Sequence, residues 1–244
     1  MKNLQNNKAY LFDIDGTLTK SRKKMCDGTG MQFLSWMYNK DVFFVTGSDI
    51  DKSRQQLPHS ILSRCKGIFS SMGNVYHEKN SLIYKNDFEI DEDILKNING
   101  RLCNSQCPEK YKATKHYEFR QGMLNFSFCG RDVSTSQRKQ YFEWDKKNKE
   151  RQMFVEWFNK TYSKDGLEAC VGGEISVDIQ PIGMDKRQAV KHLQSKGYNY
   201  FVFYGDRAEP GGNDWGICEY IVENKIGSFF KVDNPNHTFK LLLN

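Results

Sequence analysis

The segment Ala9-Tyr10-Leu11-Phe12-Asp13-Ile14-Asp15-Gly16-Thr17-Leu18-Thr19 constrains this chain more than any other. Its short apolar run reads as a buried strand over residues 9–14. Two carboxylates stand two residues apart at its end, and Gly16 then lets the backbone turn sharply. In an open α/β sheet, the crevice beyond the carboxyl ends of the strands is where ligands bind. A calcium loop does not fit, because Thr17 and Leu18 follow the glycine and the twelfth loop position is Lys24 rather than Glu. The other reading of the motif is a D-x-D-G surface turn.

The flanking pattern supports an α/β sheet. Residues 26–38 carry Met31, Leu34 and Tyr38 at helical spacing, with Phe33, Trp36 and Met37 on an adjoining face; this predicts a helix buried over most of its girth. Asp41 to Val45 is a continuous apolar run, as in a central parallel strand. Ser48 or Asp49 then caps a helix that ends before Pro58. Gly67-Ile68-Phe69-Ser70 is a third strand. This β-α-β-α-β order predicts a parallel, doubly wound sheet.

From about Tyr84 the pattern changes. A polar helical stretch (91–101) is followed by strands at Tyr117–Arg120 and Met123–Phe128. A long helical region over 134–162 and a strand at Ile175–Ile179 complete the block. The aromatic stripe of the long helix suits packing against a sheet or a subunit interface. After Pro181-Ile182-Gly183-Met184, Asp185 caps a helix over 186–196, and Tyr200–Tyr204 is a buried strand ending in Gly205-Asp206. The expected organisation is a split core, 1–82 with 186–244, and an inserted α+β domain, 83–185.

The chemistry available at such a site is that of phosphoryl groups. A carboxylate there can attack phosphorus and form an aspartyl-phosphate, and a second nearby can carry the proton of the entering or leaving oxygen. Two anions repel each other and repel phosphate, so the site needs a cation, and oxygen ligands suit Mg²⁺. The net charge of +6 suits anionic small molecules. No basic run or binding motif points to nucleic acid; Lys146-Lys147-Asn148-Lys149 sits among acids and reads as a solvated helix face. No apolar stretch reaches the roughly 18 residues of a membrane span, and Met1–Lys8 lacks the apolar core of a signal peptide. Seven cysteines at scattered spacings fit reduced thiols in the cytoplasm, and Cys103-x3-Cys107 has no second pair to complete a zinc site.

Taken together these residues resemble the haloacid dehalogenase superfamily and, within it, the eukaryotic-type phosphomannomutase family. The resemblance is carried by Asp13–Thr19, Phe119-Arg120-Gln121-Gly122-Met123-Leu124-Asn125, Gly130-Arg131, and Trp144-Asp145-Lys146-Lys147. It continues through Gly172-Gly173-x-Ile175-Ser176-x-Asp178, Gly183-x-Asp185-Lys186-Arg187 and Gly205-Asp206-x3-Pro210-Gly211-Gly212-Asn213-Asp214. It implies a Rossmann-like parallel-sheet core with an inserted, mobile α+β cap. Asp13 is then the nucleophile, Asp15 the general acid/base, and Lys186 the lysine that steadies the aspartyl-phosphate.

The resemblance further implies that Asp13, Asp15 through its backbone carbonyl, and Asp206 hold Mg²⁺, with Asn213 or Asp214 supporting its water shell. Arg22, Arg120, Arg131 and Arg138 match the arginines that bind the phosphosugar; a guanidinium gives bidentate contact to phosphate. Without the family match, Arg138 reads as a solvated helix residue. Ser176 and Asp178 match further substrate-binding positions. Thr46 and Ser48 are alternative phosphate hydroxyl donors, and Ser48 serves equally as a helix cap.

The implied activity interconverts mannose 6-phosphate and mannose 1-phosphate for GDP-mannose synthesis, with a hexose 1,6-bisphosphate activator and a homodimer formed through the cap. A sugar-phosphate phosphatase and a degenerate binding protein are the rival readings. Departures from the family are Ser71-Met72-Gly73 for the usual Glu-Asn-Gly, Met184 for a tryptophan, and Trp215-Gly216-Ile217 for x-Glu-Ile. Tyr220 and Glu223 stand where a second cation-binding loop usually has Asp and Thr.

Overall fold

The computed structural model describes residues 7–79 and 81–243; the polar N-terminal stretch lies, through residue 6, outside them. The chain divides into two compact units. The first runs to Asn86 and resumes at Gly183; the second is Asp87–Ile182. The first contains β1 (Lys8–Phe12), α1 (Asp27–Trp36), β2 (Asp41–Val45), α2 (Ile50–Gln56), α3 (His59–Arg64), β3 (Gly67–Ser70), β4 (Val75–Glu78) and β5 (Ser81–Lys85). The second contains α4 (Glu92–Cys103), β6 (Tyr117–Arg120), β7 (Met123–Phe126), α5 (Thr135–Asn148), α6 (Glu150–Tyr162), β8 (Leu167–Val171) and β9 (Val177–Pro181). The first unit then resumes with α7 (Arg187–Ser195), β10 (Tyr200–Gly205), α8 (Trp215–Glu223), β11 (Gly227–Lys231) and α9 (Pro235–Leu243).

The sheet of the first unit has the order β11-β10-β1-β2-β3-β4-β5. Strands β11 to β3 in that order are parallel, and β4 and β5 extend one edge antiparallel. β1 sits in the middle, with later strands added first to one side and then to the other. Such a reversal opens the ligand crevice of a doubly wound sheet. The strands read as unbroken apolar runs because both faces are buried. Phe12, Phe44 and Tyr204 pack on one face with Phe33, Ile61 and Phe239. Leu11, Phe43 and Phe203 pack on the other with Val190, Leu193 and Ile217.

One expectation for this unit is corrected. α1 is not buried over most of its girth. Gly30 and Phe33 are its buried residues, and Met31 and Tyr38 are 69% and 72% exposed. They fall seven residues apart on the face turned from the sheet, where an apolar side chain is tolerated. A strand not expected from the sequence, β5, pairs with β4 as far as Lys85. This edge strand has a mostly exposed side-chain pattern, so no apolar periodicity announces it.

The second unit is built on an antiparallel sheet in the order β6-β7-β9-β8. Alternation gives it two unlike faces. Leu124, Phe126, Val177 and Ile179 pack with Tyr141, Phe154 and Phe158 from α5 and α6, so these helix aromatics form the core of this unit. Glu118, Asn125 and Asp178 are register neighbours on the polar face. The expected single helix over 134–162 is two helices. Lys149 is left-handed, with φ of 55°, and ends α5. The carboxylate of Asp145 accepts the amide of Arg151 at 3.0 Å, so a side chain of the first helix satisfies the start of the second. The expected strand 175–179 is β9, two residues further on. Among the described residues no helix is long and apolar enough to cross a membrane.

Candidate active site

The parallel register brings three loops to one edge of the core sheet. Phe12 pairs with Phe44 and Tyr204, so Asp13, Thr46 and Asp206 all leave their strands at the same end. Asp13 donates its amide to the Tyr204 carbonyl at 2.9 Å, which continues the ladder by one residue. Gly16, with φ of 90°, then passes so close to Asp206 that a Cβ there would lie 2.4 Å from Oδ2.

Lys186 is fully buried and ties this edge together. Its Nζ donates to Asp13 Oδ1 at 2.6 Å and to Asp214 Oδ1 at 2.6 Å. Asp214 Oδ2 accepts the Arg207 amide at 2.9 Å. Oxygens of Asp13, Asp206 and Asp214 all lie within 4.8 Å of one another. One ammonium thus faces three carboxylates, which leaves excess negative charge in a desolvated place. Burial pushes Asp13 up to about 7, despite Lys186. Burial, then Asp13 and Asp214, push Asp206 well above the usual carboxylate range. Burial would lower Lys186, but the two aspartates outweigh it and raise it. Hard oxygen donors with surplus charge fit a small divalent cation.

The carboxylate of Asp15 is turned elsewhere. It accepts from Lys52 Nζ at 2.5 Å, Gln56 Nε2 at 2.8 Å, the Arg22 amide at 2.8 Å and Ser48 Oγ at 3.2 Å. Burial alone would raise it, yet the charge and hydrogen bond of Lys52 prevail and hold it below the usual range. The acidic cluster therefore contains Asp214 and not the Asp15 side chain. Arg22 meets the site through its backbone, and the residue is exposed. Thr46 Oγ1 accepts the Ser48 amide at 3.1 Å, while Ser48 Oγ serves Asp15. The cap of α2 is Asp49, which accepts the Lys52 amide at 2.7 Å.

In the second unit, Glu118 is shared by two of the expected arginines. Arg120 Nε donates to Oε1 at 2.9 Å, and Arg131 Nη2 donates to Oε2 at 2.5 Å. Burial would raise Glu118, but Arg120 and then Arg131 hold it down at about 2. Arg138 is buried on α5 rather than solvated. Ser176 and Asp178 are buried, and Asp178 accepts from Asn125 Nδ2. Arg151 fixes the loop before them. It pairs with Asp145 at 2.7 Å and donates to the carbonyls of Gly173 at 2.6 Å and Ser176 at 3.2 Å.

Sequence reading missed Lys52, Gln56, Glu118 and Arg151. A signal existed for the first two: Ser48, Lys52 and Gln56 are spaced by four, which places them on one helical face. Glu118 had the two-residue spacing to Arg120 that puts strand side chains on one side.

The family model for eukaryotic phosphomannomutase matches residues 32–244. The chain belongs to this family. It is 33% identical over 243 residues to phosphomannomutase 1 of Dictyostelium discoideum, spanning 97% of this chain and 95% of that protein. It is 33% identical over 239 residues to the phosphomannomutase of Saccharomyces cerevisiae, spanning 95% and 91%. Over 217 residues it is 34% identical to phosphomannomutase 1 of Homo sapiens, spanning 85% and 81%.

Among solved structures, the C-terminal domain of C. albicans trehalose-6-phosphate phosphatase matches with a TM-score of 0.62 at 14% identity, over 97% of this chain and 91% of that one. N-terminally truncated Plasmodium falciparum IMP-nucleotidase matches with a TM-score of 0.61 at 14% identity, over 98% and 70%. These two likenesses concern the fold alone.

A Cβ on Gly216 would lie 1.8 Å from Asp185 Oδ2, which is ion-paired with Arg187 at 2.8 Å, so no side chain fits there. Tyr220 and Glu223 lie on α8, where the Tyr220 hydroxyl donates to Gln194 Oε1 at 3.1 Å. Neither belongs to a carboxylate cluster among the described residues.

Proposed function

We propose that this protein interconverts mannose 6-phosphate and mannose 1-phosphate by passing a phosphoryl group through Asp13, primed by a hexose 1,6-bisphosphate. The observation that carries this reading is the Asp13–Lys186–Asp214 arrangement in a chain of the phosphomannomutase family. Lys186 offsets charge on Asp13 and orients one of its oxygens, leaving the other for in-line attack on phosphorus. When the sugar hydroxyl attacks the aspartyl-phosphate, its proton goes to the Asp15 carboxylate and the P–O bond to Asp13 breaks. In the reverse transfer Asp15 returns that proton to the leaving sugar oxygen. The ionised state that Lys52 imposes on Asp15 suits it to begin as the base.

Asp13, Asp206 and Asp214 are the side chains that would hold Mg²⁺. When bound, the ion neutralises charge on the transferring phosphoryl oxygens. Arg120, Arg131 and Arg138 supply fixed anion-binding groups that hydrolysis of a single phosphate does not require. The seven cysteines, all free thiols, suit the reducing cytoplasm.

The test is phosphorus NMR of the protein with mannose 1-phosphate, Mg²⁺ and a catalytic amount of glucose 1,6-bisphosphate, beside an Asp13→Asn control. The expected product is mannose 6-phosphate without inorganic phosphate, lost in the control. Inorganic phosphate as the main product makes the protein a phosphatase instead.

A further inference from the structure

Three consecutive residues after β3, Ser71, Met72 and Gly73, have left-handed backbone, with φ of 48°, 61° and 90°. Glycine adopts this conformation freely and asparagine tolerates it, but a methionine holds it only where its surroundings enforce it. Met72 is fully buried. The enforcing groups are Asn74 and Gln188. The Ser71 carbonyl accepts from Asn74 Nδ2 at 2.9 Å, and the Met72 carbonyl accepts from Gln188 Nε2 at 3.3 Å. Gln188 also donates to Asn74 Oδ1 at 3.1 Å and accepts from Asn86 Nδ2 at 3.0 Å.

The turn in its turn holds the loop after β2. Ser71 donates its amide to the Ser48 carbonyl at 2.9 Å, and Met72 donates to the Thr46 carbonyl at 3.0 Å. Ser48 Oγ then donates to Asp15 Oδ2 at 3.2 Å. A continuous chain of hydrogen bonds thus leads from Asn74 and Gln188 through a strained turn to the carboxylate of Asp15.

We propose that Asn74, supported by Gln188, is a positioning residue for phosphoryl transfer. It supplies, from two residues away, the enforcement of a left-handed backbone that a methionine at position 72 lacks intrinsically. By holding Met72 left-handed it fixes the Thr46–Ser48 loop, and so presents Ser48 to Asp15. Its role in turnover rests on the reading of Asp15 as the acid–base group.

The test is a double-mutant cycle of Asn74→Ala and Met72→Gly. It is read by steady-state kinetics with mannose 1-phosphate and by amide hydrogen exchange of residues 46–48. Asn74→Ala is expected to lower kcat on the order of ten- to a hundredfold with little change in KM, because a displaced loop misorients a reacting group. It is expected to speed exchange at 46–48. Both effects shrink when residue 72 is glycine, since the turn then needs no enforcement. An Asn74→Ala cost equal in both backgrounds, or unchanged exchange at 46–48, overturns the proposal. If the wild type makes no mannose 6-phosphate, the functional reading fails, and the exchange cycle alone then decides whether Asn74 holds the loop. Should Asn74→Ala not fold, Asn74→Asp keeps the acceptor for Gln188, loses the donor to Ser71, and is read in the same way.

Discussion

Lys186 Nζ stands 2.6 Å from Asp13 Oδ1, and neither the ammonium nor its second partner Asp214 has any exposed surface. Replacing Lys186 with methionine keeps the volume but leaves buried carboxylates without their cation. The expected loss is about 3–5 kcal/mol of stability, together with loss of turnover. Urea denaturation measures the first and the phosphorus NMR assay the second. A Lys186→Met protein as stable as the wild type contradicts the pairing.

Mg²⁺ is expected to raise the melting temperature more at pH 7.5 than at pH 5. Asp13 has a folded value of about 7 against an ordinary 3.8, so the native state holds its proton more tightly than the unfolded chain. The stability it contributes is present below 3.8 and is lost as pH rises through about 7. A cation relieves the repulsion that appears over that range. Calorimetry with EDTA or Mg²⁺ at the two pH values is decisive; equal gains at both contradict the assigned cluster.

Lys52 holds Asp15 ionised, so Lys52→Met is expected to move the acid limb of the kcat/KM profile to higher pH. Activity at neutral pH falls by about tenfold or more, because Asp15 also loses an orienting donor. A profile unmoved in the variant shows that Asp15 does not set that limb.

Glu118 orients Arg120 and Arg131 with a single carboxylate. Its folded value of about 2 lies below the ordinary 4.5, so its stabilisation is present above 4.5 and is lost as pH falls towards 2. Glu118→Gln is expected to flatten the acid-side loss of stability over that window and to raise KM for the phosphosugar severalfold. Acid titration of the fold and initial-rate kinetics check the two expectations. An unchanged KM means that the two arginines need no such orientation.

Arg151 satisfies two carbonyls of the loop leading to Ser176 and Asp178 while paired with buried Asp145. Arg151→Met leaves Asp145 buried and unpaired, at a cost of about 3–5 kcal/mol. KM is also expected to rise, because Ser176 loses its anchor. Thermal melts and kinetics at reduced temperature separate the two effects; a stable variant with normal KM contradicts the role.

Strands β1, β2, β3 and β10 were legible because each is a short apolar run that requires burial on both faces, as in Val42–Val45 and Phe201–Tyr204. β5 and β8 were not. The exposed edge strand Ser81–Lys85 has no apolar period, and the short alternation of Leu167–Val171 lies beside a long helix that dominated the pattern. The break at Lys149 escaped because neither Gly nor Pro marks it; a carboxylate one turn earlier does the work of ending one helix and starting the next.

The sequence by itself determined the strand–helix alternation and the place of the Asp13–Asp15 pair at a strand end, because these are written in local apolar periods and a short motif; Lys186 and Asp206 were expected from the family resemblance. Tertiary structure alone decided that Asp214 joins Asp13 and Asp206 while the Asp15 carboxylate turns to Lys52, that Met31 and Tyr38 face solvent, and that Arg138 is buried. The reason is that charge pairing and burial depend on which strand ends the sheet order brings together and on which groups are left to share one desolvated space. Residues far apart in the chain set both.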